Sequence, residues 1–194
     1  MTLLLKISGL IDDLSRRIGQ IIIWFILASV LLSTGNALAR KLLRIGSNAF
    51  TEMQWYLYGA VFLLGAGYAF LKNAHVRIDF VSSHLSPRAR SVIDILGIII
   101  FLAPLCLMLI GLSWPLFVNA LQSGEMSQSA GGLIRWPVYL LLPLGIFLLL
   151  LQSFSEIIKR LAFLKGMIPD PLSHKIADED CGETHSDPSR SEVC

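Results

Sequence analysis

Residues 95–121 read ILGIIIFLAPLCLMLIGLSWPLFVNAL, without one charged side chain. A soluble helix would alternate such residues with polar ones along one face. This run is apolar on every face, and it exceeds the roughly 20 residues that cross about 30 Å of hydrocarbon. The reading of this block decides the rest. Three more blocks lack charge: 18–39, 53–71 and 136–155. In lipid a backbone satisfies its own hydrogen bonds, and a continuous apolar segment does so as a helix. The bulk numbers agree: 54% of the 194 residues are hydrophobic, only 15% are charged, and mean hydropathy is +0.66.

The predicted fold is therefore an all-α membrane protein with four transmembrane helices, spanning about 18–39, 53–71, 93–118 and 136–157. Residues 1–17 read as a cytoplasmic amphipathic segment, 18–165 as the transmembrane domain, and 166–194 as a disordered acidic tail. An Ala37-Leu38-Ala39 site follows the first block. However, Asp12 and Asp13 ahead of the block, and the block's length, argue for a retained span and not a cleaved leader.

The net charge of +2 conceals an asymmetry. Residues 1–169 carry 14 Lys/Arg against 7 Asp/Glu, whereas the tail carries 7 acids against Lys175 and Arg190. A basic membrane domain suits anionic lipid headgroups, not nucleic acid. Orientation follows the placement of positive loops. With the N-terminus inside, Lys6, Arg16, Arg17, Lys72, Arg77, Arg88, Arg90, Lys159, Arg160 and Lys165 fall on the cytoplasmic side. Only Arg40, Lys41, Arg44 and Arg135 fall outside, so both termini are expected in the cytoplasm. The outer Arg40–Arg44 cluster can reach headgroups or pair with a partner's acids.

Small residues mark expected packing faces. In the second helix Gly59 and Ala66, and Ala60 and Gly67, stand seven apart; in the third, Gly97, Pro104 and Gly111 do. Such faces let backbones approach closely in lipid. Ser86-Pro87 reads as a helix start. The segment QSGEMSQSAGGLI (122–134) reads as a polar, turn-rich outer loop.

Catalytic and cofactor chemistry is hard to place. None of His75, His84, His174 and His185 falls inside a predicted span, so a pair of bilayer-embedded haem ligands is not expected. No phosphate loop, nucleophile elbow or HExxH motif occurs. Cys106 reads as a small apolar packing residue, and Cys181 and Cys194 lack zinc spacing. No enzyme activity, cofactor or metal is expected. The acids near the spans, Glu52, Asp94 and Glu156, all lie at helix ends, where a helix-start dipole accounts for Glu52 and Asp94. A transporter acting alone needs polar groups or broken helices near mid-membrane. FLAPLCLML (101–109) offers almost nothing to a polar solute.

Three stretches carry a resemblance. NAFTEMQWYLYGAVFLLGAGYAFLKNAHVRIDF (48–80), LSPRARSVIDILG (85–97) and GEMSQSAGGLIRW (124–136) resemble the small membrane subunit of tripartite ATP-independent periplasmic (TRAP) transporters. The likeness is to the mannitol/chloroaromatic compound-type branch, over about residues 15–165. It implies a heterodimer with a large sodium-coupled permease in the bacterial inner membrane, where a periplasmic binding protein delivers an organic acid. The small subunit is then a scaffold in contact with its partner and with membrane lipids. Glu52 and Gln54 match the family's acidic start of helix two, and His75, Arg77 and Asp79 its His-x-x-x-Asp loop. Where the family usually has paired acids, this chain has Glu52-Met53-Gln54. With Arg40 and Trp55, these residues are the candidate subunit interface. LKNAHVRIDFV (71–81) then reads as the inner turn of a helical hairpin, held at the headgroups by Lys72 and Arg77. The competing readings are a membrane anchor of a redox enzyme complex and a small self-associating channel.

Overall fold

The computed structural model describes residues 2–42, 48–72, 86–128 and 132–166. The inner turn containing His75, Arg77 and Asp79, Arg44 of the outer cluster, all four histidines and the acidic tail lie outside the described residues. Among the described residues the fold is built of four helical rods: α1 (Thr2–Leu42), α2 (Asn48–Leu71), α3 (Pro87–Ser123) and α4 (Trp136–Leu164). Among the described residues there is no β-strand, only one isolated antiparallel bridge, Met126 to Ile134.

Leu4–Leu42, Pro87–Ser123 and Trp136–Leu164 are long and apolar enough to cross a membrane. The 24 residues of α2 are long enough, at about 36 Å, but Glu52, Gln54, Tyr56, Tyr58 and Tyr68 dilute their hydropathy. The helices outrun the apolar blocks. α1 has 41 residues and spans about 60 Å, twice the hydrocarbon thickness, so its N-terminal third continues the rod beyond the apolar block.

α3 starts where its sequence dictates. The Ser86 hydroxyl accepts from the Ala89 N–H at 3.3 Å, and Pro87 takes the first turn, where its missing N–H costs nothing. The helix passes through a single π-turn, Ile98–Leu102, in which the Ala103 N–H reaches back to Ile98 O. Pro104 follows at once, and the wider turn relieves the clash of its ring with the preceding carbonyls. Gly124 ends the helix in the left-handed conformation (φ 60°) that only glycine adopts without strain.

α4 is the central rod, packed against α1, α2 and α3; α2 also lies along α1. Contact between α2 and α4 rests on glycine. A Cβ on Gly145 would stand 2.6 Å from the Leu63 carbonyl oxygen, and one on Gly67 would stand 3.5 Å from that of Leu148. At the α1–α2 contact the Tyr68 ring lies on Gly19, 2.6 Å from where a Cβ would stand. The expected face through Ala60 and Gly67 is buried as read. The face through Gly97 and Gly111 is not: a Cβ at either would meet nothing within 4 Å. That face of α3 is left to the membrane or to another chain.

Burial is inverted relative to a soluble protein. Trp24, Phe62 and Phe101 are at least 70% exposed, while Ser8, Ser29, Ser91, Gln152 and Ser155 are almost completely enclosed. Small and polar groups hold the rods together, and large apolar groups face out, as lipid requires.

Candidate functional site

Polar chemistry gathers at the two ends of the bundle. At one end, labelled inner after the orientation expected from the positive residues (the opposite end is labelled outer), α1 and α4 present matching polar ladders. Ser8, Asp12 and Ser15 recur at helical spacing, as do Gln152, Ser155, Glu156, Lys159 and Arg160. The Ser8 and Ser155 hydroxyls meet at 2.7 Å. Ser15 Oγ donates to Gln152 Oε1 at 2.6 Å, and Gln152 Nε2 donates to Asp12 Oδ1 at 2.9 Å. Asp12 also accepts from Ser155 Oγ at 2.9 Å and pairs with Lys159 Nζ at 2.6 Å. Lys159 Nζ reaches Glu156 Oε1 at 3.1 Å. From α3, Asp94 takes the Arg160 guanidinium. Glu156 and Arg160 are each about 96% buried. Buried charges persist only when paired, so this chain of contacts fixes three helices to one another.

Neither Glu52 nor Asp94 does what a helix-start dipole reading assigns it. No acid occupies the first turn of α2 or α3, because both helices begin several residues earlier. Asp94 is instead a bridge to α4.

At the outer end, Glu52 turns toward the connection between α3 and α4. Ser127 Oγ donates to one carboxylate oxygen and the Leu133 N–H to the other, the latter at 2.9 Å. The connection is itself cross-braced. Ser127 N–H donates to Leu133 O at 3.0 Å, Arg135 N–H to Glu125 O at 3.1 Å, and the Arg135 and Glu125 side chains pair at 2.9 Å. The Glu125 hydrogen bond raises the Arg135 guanidinium above its usual pKa. Above Glu52 lies a pocket of about 460 Å³ lined by Asn48, Thr51, Glu52, Trp55, Tyr56, Ser127 and Arg135.

The structure thus separates the residues singled out from the sequence. Glu52 and Trp55 line the same pocket, and Trp55 is 70% exposed. Gln54 is on another face and donates to the Tyr58 hydroxyl at 3.2 Å. Arg40 stands exposed in the last turn of α1. His75, Arg77 and Asp79 lie outside the described residues. Sequence reasoning missed the inner ladder, although its signal was present: 152, 155, 156, 159 and 160 share one helical face.

Between the two ends the blocks 18–39, 53–71, 95–121 and 136–155 contribute no charged side chain. The arrangement builds two braced polar caps on apolar rods.

No curated protein and no solved structure matches this chain. Residues 10–163 match the family model of the tripartite ATP-independent periplasmic transporters, DctQ component, a span that includes both polar caps, Ser8 apart, and the rods between them. The chain belongs to that family: it is the small membrane component of a TRAP transporter, a transporter subunit and not an enzyme.

Proposed function

We propose that this subunit braces a large sodium-coupled permease in the bacterial inner membrane and does not itself bind the transported solute. In this reading α2 crosses the bilayer with the other three helices, both termini are cytoplasmic, and 166–194 is a cytoplasmic tail. The cargo is an organic acid delivered by a periplasmic binding protein. The branch is the mannitol/chloroaromatic compound type, on the strength of residues 48–80.

One observation carries the proposal. Asp12, Glu52, Asp94, Lys159 and Arg160 are spent on internal contacts at the two ends, and the blocks between them carry no charged side chain. A carrier needs unspent polar groups near mid-membrane. A brace needs rigid rods with apolar faces to lay against a partner, and the exposed Phe101, Leu105, Met108 and Leu112 of α3 supply such a face. Gln54 and Trp55, with the loop that Glu52 pins, form the outer part of the proposed contact; His75, Arg77 and Asp79 form the inner part.

Co-expression with the large permease and purification on a tag carried by this chain tests the pairing. A stable one-to-one complex is expected. Recovery of this chain alone, under conditions where the permease is present in the membrane, would contradict it.

A further inference from the structure

Between α1 and α2, near their outer ends, runs a groove of about 610 Å³ lined by Ala28, Leu31, Leu32, Gly35, Asn36, Ala39 and Phe50. Its α1 wall is one helical face, kept low by Ala28, Gly35 and Ala39. Leu31 and Phe50, each about half exposed or more, form its lips. The one polar pair there ties the helices together: Asn36 Nδ2 donates to Thr51 Oγ1 at 3.4 Å. An empty apolar furrow forfeits dispersion contacts on all its walls, so something apolar fills it in the membrane.

The groove ends where charge begins. Arg40 stands one turn beyond Asn36 on the same edge, and Lys41 follows it; both are exposed. Neither makes an ion pair among the described residues. The apolar block of α1 closes at Ala39, which places both cations at headgroup depth. An apolar slot along the helix with two unpaired cations at its mouth has the chemistry of one amphiphile. We infer that the groove holds an acyl chain of an anionic phospholipid, whose phosphate sits against Arg40 and Lys41. A protein helix seated there would have to bring two acids in register at the same depth, whereas an anionic lipid carries its charge there by construction. This site does not depend on the bracing role.

The test uses the full chain in detergent, titrated with phosphatidylglycerol or with phosphatidylcholine of the same acyl chains. Phosphatidylglycerol is expected to raise Tm by about 3 °C more than phosphatidylcholine. That preference should fade at high salt. The double variant Arg40→Gln, Lys41→Gln should lose it while keeping the response common to both lipids. Gly35→Leu puts a side chain into the groove, and its Cβ is accommodated, since a Cβ there meets nothing within 4 Å. It should blunt the response to both. Equal responses to the two lipids in the unmodified chain would overturn the assignment. So would a Gly35→Leu chain that keeps the lipid preference but no longer co-purifies with the large permease, because the groove would then be a protein contact. The bracing proposal fails on a different result, the absence of a complex with the unmodified chain.

Discussion

The two ends of this bundle are built on opposite plans. At the inner end, buried and half-buried carboxylates and cations from three helices pair with one another: Asp12 with Lys159, Asp94 with Arg160, and Glu156 between the two cations. At the outer end two carboxylates, Glu52 and Glu125, hold one loop, while Trp55, Arg40 and Lys41 face outward. The inner end is a clasp that the chain closes by itself. The outer end leaves an open groove and an open pocket. Stability is concentrated at one end and contact surface at the other.

That contrast can be broken by substitution. Arg160→Met takes the guanidinium from the half-buried Asp94 carboxylate and leaves the buried Glu156 to Lys159 alone; it should cost about 3 kcal/mol, read as loss of thermal stability in detergent. Adding Asp94→Asn and Glu156→Gln to that variant should recover much of the loss; no recovery would mean the guanidinium acts through packing alone. Gly145→Val forces a side chain into the Leu63 backbone and should cost about 2–3 kcal/mol, whereas Gly111→Val, which meets open space, should leave stability unchanged. At the outer end Glu52→Gln should cost about 1.5 kcal/mol, because a neutral amide replaces a charged acceptor of two hydrogen bonds. Limited proteolysis within 124–135 should rise in the same variant, and unchanged cleavage would remove Glu52 as the loop's anchor. Smallest of all, Arg17→Gln removes a solvent-exposed pair with Asp13 and should fall within error. A larger effect there than at Glu52 would reverse the comparison.

The apolar rods were legible in the sequence because lipid punishes a charged residue anywhere along a span, and the 95–121 block has none. The Ser86-Pro87 start of α3 was legible because capping is a local interaction. What could not be read locally was the destination of each polar side chain. Glu52 is answered by Ser127 and Leu133, more than seventy residues away, and Asp12 by Gln152, Ser155 and Lys159 on the last helix. Residues 1–17 look like a separate amphipathic segment because Asp12, Asp13, Arg16 and Arg17 interrupt the hydropathy. The face that carries Ser8, Asp12 and Ser15 is covered by α4, while Asp13, Arg16 and Arg17 stay exposed, and the helix continues unbroken to Leu42. The same limit applies to glycine. Gly145 and Gly19 are closely packed and Gly97 and Gly111 are not, although all four sit in similar apolar surroundings in the sequence.

The central claim is that this chain supports transport without carrying solute. Uptake of a radiolabelled organic acid under an inward sodium gradient, with binding protein supplied outside, tests it in proteoliposomes. Vesicles holding this chain alone should show no more uptake than empty ones, and vesicles holding it with the large permease should accumulate solute. Sodium-driven accumulation by the chain alone would contradict the account.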